Sequence, residues 1–309
     1  MTPRALIAVL AAVLCAAFLA ACATDDGDPG GSSGTTAVAT TSQVGDLARA
    51  VAGDRAGVRQ ILRPNSDPHE YEPRPSDVRA VAAADVVLRS GGDLDAWLDG
   101  VLENAGSDAK VVTLLDVMTP RRDRGGVDPH WWQDARNAIR AVHAIRDALV
   151  RADPAGRPAY SANATGYIDR LRTLDRAIAA CMDAIPAARR RLVTDHDALG
   201  YYADRYEIDV VGTVIPALST QAQASAGEVA RLVRTIRDSG VTTIFPEGSA
   251  NPKLTRAIAG DAGARVGPAL YADTLGPAGS VGETYIGALR FNTRALAAGF
   301  AGRQRRCQL

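Results

Sequence analysis

Apolar positions along this chain switch twice between short β-branched runs and the i, i+3, i+4, i+7 spacing of an amphipathic helix, the alternation that builds parallel α/β layers. Ala37 to Thr40 leads into a helix with Val44, Leu47, Ala48 and Val51 on one face, and Gly53 stops it. Val58 to Leu62, Val86 to Leu88 and Val111 to Leu115 are the next strands. From Pro158 to Ile185 the helical period is unbroken, with Ile168, Leu171, Leu174, Ile178, Met182 and Ile185 on one stripe and Pro186 marking its end. At 1.5 Å per residue such a helix is about 40 Å long, enough to cross a whole molecule. It reads as a rigid strut between two lobes, although a long surface helix within one domain would give the same pattern.

A second set of elements follows. Arg191 to Val193, Asp209 to Val214 and Val241 to Phe245 are strands, and Ser225 with Glu228 forms a capping box that opens a helix carrying Val229, Leu232, Val233 and Ile236. Gly240 ends that helix, Asn251 and Pro252 are placed as N-cap and first residue of another, and a last helix carries Ile286, Leu289, Leu296 and Phe300. The expected fold is α/β with two parallel-sheet lobes, the first over residues 36–155, the connecting helix over 156–188 and the second lobe over 189–309.

The first 35 residues fit neither lobe. Arg4 precedes an apolar stretch of 17 residues, Ala5 to Ala21, which ends in Leu19-Ala20-Ala21-Cys22. That is short of the ~20 residues that span a bilayer comfortably and reads as an export signal over residues 1–21. Its end resembles the lipobox of bacterial lipoproteins, in which cleavage leaves Cys22 as an acylated N-terminus. Residues 22–35, rich in Asp, Gly and Ser, then form a flexible tether, and the folded body works in water at the outer face of a membrane. The chain carries 35 basic and 35 acidic residues, a balance that gives no reason to expect a nucleic-acid partner. Cys181 and Cys307 remain once the signal is removed and Cys22 is lipidated. An even pair in an oxidising compartment predicts a disulfide between them.

The chain has four histidines. Three lie in segments flanked by Pro, Asp and aromatic residues: His69 in Pro68-His69-Glu70-Tyr71-Glu72-Pro73, His130 in Asp128-Pro129-His130-Trp131-Trp132, and His196 in Thr194-Asp195-His196-Asp197. Separations of 61 and 66 residues mean that only the tertiary fold can bring them together. Each alone could be a packing residue; together, on loops at strand ends, they point to the crevice where open α/β sheets bind ligands. Three imidazole nitrogens suit zinc and its neighbours. A fourth ligand is expected from the second lobe, and Asp273, 77 residues past His196, continues the spacing; Glu247 at the end of Ile244-Phe245-Pro246 is the rival carboxylate. His143 sits mid-helix among Ile139, Val142 and Ile145 and reads as packing or surface.

The segments Pro68 to Asp77, Asp128 to Trp132, His196 to Tyr201 and Tyr271 to Leu275 resemble, in order, the motifs of the solute-binding lipoproteins of zinc and manganese ABC importers, the cluster A-I metal receptors. The resemblance runs from about Ala37 to the C-terminal helix. It implies two Rossmann-like lobes joined by one long helix with the metal buried between them, His69 and His130 as first-lobe ligands, His196 and Asp273 as second-lobe ligands, and Glu247 as a nearby non-ligand. It further implies a monomeric receptor, not an enzyme, that delivers Zn2+ to a membrane permease and its ATPase, with manganese or iron as alternative cargo. A zinc hydrolase or a surface protein of cell adhesion are the distant rivals. There are two departures. Gln223-Ala224-Ser225 replaces the family's usual Glu-Pro-Ser, and Met118 to Gly126 is short and Arg-rich where zinc-binding members often carry a His-rich acidic loop.

Overall fold

The computed structural model describes residues 34–123, 126–248, 252–301 and 307–309. The expected signal, Cys22 and nearly all of the tether lie outside the described residues, as does Asn251. Four short strands, β1 (Thr36–Ala39), β2 (Gly57–Gln60), β3 (Val86–Arg89) and β4 (Lys110–Thr113), form one sheet in the order β2-β1-β3-β4. All pairings are parallel, with Val38 opposite Arg59 and Val87, and Val87 opposite Val111. The period of two divides this sheet's cores. Ala37, Ala39, Val86 and Leu88 face one cluster, while Val38 and Val87 face another with Ile61, Leu62, Val81, Leu98 and Val101.

Helix α1 (Ser42–Ala52) starts where the Thr41 hydroxyl accepts from Val44 N at 3.3 Å and stops at Gly53, whose φ of +54° suits glycine. Helices α2 (Pro75–Ala82) and α3 (Leu98–Ala105) supply the second cluster. The Arg-rich segment before His130 folds into a two-stranded hairpin of β5 (Arg122–Asp123) and β6 (Gly126–Val127). After it come α4 (Ala135–Ala152) and α5 (Arg157–Asp183), the latter a helix of 27 residues. The predicted stripe of α5 is its buried face: Ile168, Leu171, Leu174, Ile178 and Met182 all join the main core.

In the second lobe β7 (Arg191–Thr194) pairs in parallel with β8 (Asp209–Thr213), and β9 (Thr243–Ile244) with β10 (Arg265–Val266). A parallel bridge from Thr194 to Phe245 joins the two pairs. Helices α6 (Gly200–Tyr206), α7 (Ala226–Ser239) and α8 (Lys253–Ala262) follow β7, β8 and β9, and α9 (Tyr285–Ala301) closes the fold. The Ser225–Glu228 capping box opens α7 as expected, the Ser225 hydroxyl accepting from Glu228 N at 3.3 Å. Several boundaries move: the strands expected to reach Leu62, Leu115 and Val214 end at Gln60, Thr113 and Thr213, with Leu114 and Leu115 in a 3₁₀ turn. The strand expected over Val241 to Phe245 is regular only at Thr243–Ile244, and Pro252 is the residue before α8 rather than its first residue. Element ends fray by a residue or two, and these shifts are of that size.

One apolar cluster runs from Leu47 and Trp131 through Leu171 and Ile178 to Tyr202, Phe245, Tyr285 and Leu296, so first lobe, long helix and second lobe share a core. Cys181, near the end of α5, is bonded to Cys307 with Cα atoms 5.4 Å apart. Among the described residues no helix is long and apolar enough to cross a membrane.

Candidate metal centre

His69 follows β2 on a single 3₁₀ turn, Pro68–Glu70, which Asp67 caps by accepting from His69 N at 2.9 Å. The chain beyond is held extended because Asp77 accepts from both the Tyr71 hydroxyl (2.6 Å) and Arg74 N (2.7 Å). His130 is placed by its own neighbour. Asp128 Oδ1 accepts from His130 N at 2.9 Å and lies 2.8 Å from His130 Nδ1, while Trp131 and Trp132 behind it are buried. The proline between them keeps that turn tight.

His196 lies just past the end of β7. Glu247, past the end of β9, accepts from His196 N through Oε1 at 3.0 Å and sets Oε2 2.7 Å from His196 Nδ1. Asp195 in turn accepts from Glu247 N at 2.8 Å and from the Thr255 hydroxyl. Asp273 follows the bridge between Glu247 and Leu270. Its segment is held by the first lobe: Trp132 Nε1 and Gln133 Nε2 both donate to Ala272 O, at 2.8 and 2.9 Å, and Leu275 N donates to Ser42 Oγ at 2.9 Å.

These four segments converge. One donor atom from each of His69, His130, His196 and Asp273 lies within 4.8 Å of the others. The imidazole Nε2 atoms stand 3.5, 3.3 and 3.2 Å from the Asp273 carboxyl oxygens for His69, His130 and His196 respectively. All three Nε2 atoms and both Asp273 oxygens are buried without a hydrogen-bond partner. Buried polar atoms left bare are costly, and five of them aimed at one point fit a cation, which would satisfy them all at once. Two of the imidazoles have Nδ1 against a carboxyl group, the arrangement that fixes the tautomer and turns the Nε2 lone pair toward a metal.

The electrostatics match. Burial opposes a charge on His196, but Glu247 and Asp273 beside it outweigh burial and lift its pKa well above the usual imidazole range. Burial likewise disfavours ionised Asp273, yet His196 and His130 hold it well below the ordinary carboxyl value. An acidic nest around three imidazoles favours a positive guest.

Of the residues singled out in the sequence, His69, His130, His196 and Asp273 meet, and Glu247 stands behind His196 rather than among the four. His143 lies apart on α4, with Nδ1 3.1 Å from an Arg146 guanidinium nitrogen. The roles of Asp128, Trp132, Gln133 and Ser42 were not read from the sequence. For Asp128 a signal existed: a carboxylate two residues before a histidine, across a proline, is a tight local turn.

Two α/β lobes closing on a buried cluster of three imidazoles and one carboxylate define a metal-ion receptor. Residues 37–299 match the family described as zinc-uptake complex component A, periplasmic. The chain is 33% identical over 282 residues to the manganese-binding lipoprotein MntA of Halalkalibacterium halodurans, covering 90% of this chain and 93% of that relative. It is 30% identical over 269 residues to the iron-binding protein YfeA of Yersinia pestis, covering 85% of each. Its fold matches the periplasmic zinc-binding protein TroA from Treponema pallidum with a TM-score of 0.81 at 25% identity, over 87% of this chain and 99% of that one. The chain belongs to this family of extracytoplasmic metal-binding receptors of ABC importers, proteins that bind a solute and do not transform it.

Proposed function

We propose that this protein captures one Zn2+ through the Nε2 atoms of His69, His130 and His196 and the carboxylate of Asp273, and delivers it to a membrane permease driven by its ATPase. The observation that carries the reading is the convergence of three buried, unpaired imidazole nitrogens on an unpaired carboxyl group. Relatives are named for manganese, iron and zinc, so the family alone leaves the cargo open. Three nitrogens and a carboxylate make a borderline-soft set that suits zinc, which also outcompetes manganese at most sites. Manganese is the second reading, favoured by the two bare Asp273 oxygens, which together would add a hard donor to the set.

Metal quantified in protein purified from unsupplemented medium tests the cargo. His130→Ala is expected to lose tight binding while His143→Ala keeps it, and equal losses would refute the assignment. His196→Glu is expected to narrow the zinc-over-manganese preference in competition titrations at fixed pH; a native protein that holds manganese against equimolar zinc would reverse the choice of metal.

The proposed cellular setting is a monomer anchored by acylated Cys22 at the outer face of the membrane, consistent with relatives named as lipoproteins. Cys22→Ser should move the protein from the membrane to the soluble fraction with metal binding unchanged. Membrane retention of that variant would remove the anchor from the account.

A further inference from the structure

We infer that Thr220 and Gln221, on the loop between β8 and α7, are positioning residues that hold His69 against the metal and set how fast the metal leaves. This rests on the ligand assignment proposed above and adds a release control to that site.

The four ligands are unequally shielded. The side chains of His130, His196 and Asp273 are 0% exposed, whereas that of His69 keeps 5%, so His69 is the one of the four that solvent touches. A metal held by several ligands leaves by losing them one at a time, and the outermost is the one that water or a competing ligand can replace first. How firmly His69 is held therefore bears directly on the release rate.

His69 sits on a turn of only three residues, so its ring cannot withdraw far unless the turn moves. Two hydrogen bonds reach that turn from the second lobe. The Thr220 hydroxyl donates to Asp67 Oδ2 at 2.7 Å, and Gln221 Nε2 donates to His69 O. The other oxygen of the same Asp67 carboxyl group accepts from His69 N at 2.9 Å, so one side chain relays the pull of the loop to the backbone of the ligand. The loop is itself tied to the next ligand along: Asp197 N, adjacent to His196, donates to Ala217 O at 3.0 Å. Ser219 Oγ accepts from Gln221 N at 3.2 Å and shapes the tip that presents both donors. The strap thus runs from the turn of a second-lobe ligand to the turn of the most exposed first-lobe ligand.

A hydroxyl donating to a carboxyl group is among the stronger neutral-donor bonds in proteins. Gln221 is exposed and Thr220 only half-buried, so neither contributes to a core whose loss would unfold the chain. Their bonds join the turns of two proposed ligands across the lobes instead.

The test uses the mature chain loaded with one Zn2+ and mixed with excess chelator, the release rate being followed in time beside the thermal midpoint of the metal-free protein. Thr220→Val, which keeps the shape and removes the donor, should release zinc roughly tenfold faster, the order expected for one hydrogen bond to a charged group. Gln221→Ala should accelerate release by a smaller factor, Thr220→Ser should restore a rate near wild type, and the metal-free midpoints should be unchanged. Release from Thr220→Val at the wild-type rate, or Thr220→Ser as fast as Thr220→Val, overturns the strap while leaving the ligand assignment standing. Acceleration that comes with a lowered metal-free midpoint overturns it as well, in favour of a plain structural role. A wild-type chain that retains no zinc overturns the ligand assignment, and the strap with it.

Discussion

In the proposed ligand set, His196 is where metal capture and proton binding compete most directly. Burial works against its charge, but Glu247 and Asp273 prevail and keep a proton on it above the usual imidazole range when no metal is bound. A metal must displace that proton, because a ligating imidazole nitrogen has to offer its lone pair. The sign follows: a group whose pKa is raised in the empty site holds its proton more tightly, so acid opposes capture and alkali favours it. Apparent zinc affinity measured by competition is expected to fall by more than tenfold between about pH 8 and about pH 5.5, because below a raised His196 pKa each pH unit costs about tenfold in proton competition. A flat profile over that range would mean that the proton and the metal do not share His196. Asp273 contributes no such dependence there, since His196 and His130 hold its pKa well below the ordinary carboxyl value.

At the scale of elements, α5 decides most. Its exposed positions carry charge, as in the surface pair of Arg172 Nη1 with Asp169 Oδ1 at 3.1 Å, while its apolar stripe is buried between the helices of the first lobe and α9. Leu171, 0% exposed, is near the middle of that stripe. Leu171→Ala should cost about 2–5 kcal/mol in denaturant unfolding of the metal-free protein, through lost burial and the cavity left behind. Arg172→Ala should change stability by less than ~0.5 kcal/mol, since exposed ion pairs of this kind contribute little. Comparable losses from the two would mean that α5 is not supported by its apolar face. The strands contribute differently. β2, β7 and β9 are short, and each is followed by a loop that carries a residue of the site, His69 after β2, His196 after β7 and Glu247 after β9.

For the molecule as a whole, the shared core and the bond between Cys181 and Cys307 make the two lobes and the long helix one body. The disulfide closes 126 residues, and by chain entropy a loop of that length can gain up to about 5 kcal/mol, less where the unfolded chain keeps structure. Mature protein unfolded without reductant should yield no free thiol on titration, and reductant should lower its melting temperature. Two titratable thiols would show that the exported protein is not bridged. Asp273 makes the same point without a covalent bond. It lies in the second half of the chain, yet Trp132, Gln133 and Ser42 of the first lobe fix its segment, so the centre is built across the lobes even at the level of one proposed ligand.

Local rules account for what the sequence determined by itself. The stripe of α5, the Thr194-Asp195-His196 strand end and the Ser225–Glu228 cap depend on residues within about four positions of each other, and such patterns are visible in a string of letters. That His69, His130, His196 and Asp273 converge was legible for the same reason: each stands in a stiff turn, and even spacing along alternating strands and helices suggested a common crevice. Only the tertiary structure decided what holds them. The two bonds on Ala272 O span 140 and 139 residues, the Thr220–Asp67 bond spans 153, and Glu247 meets His196 N across 51. No local period encodes such pairs. They exist because two parallel sheets, turned toward each other on one long helix, bring the ends of distant strands to a single point, where each polar group must find a partner out of reach of water.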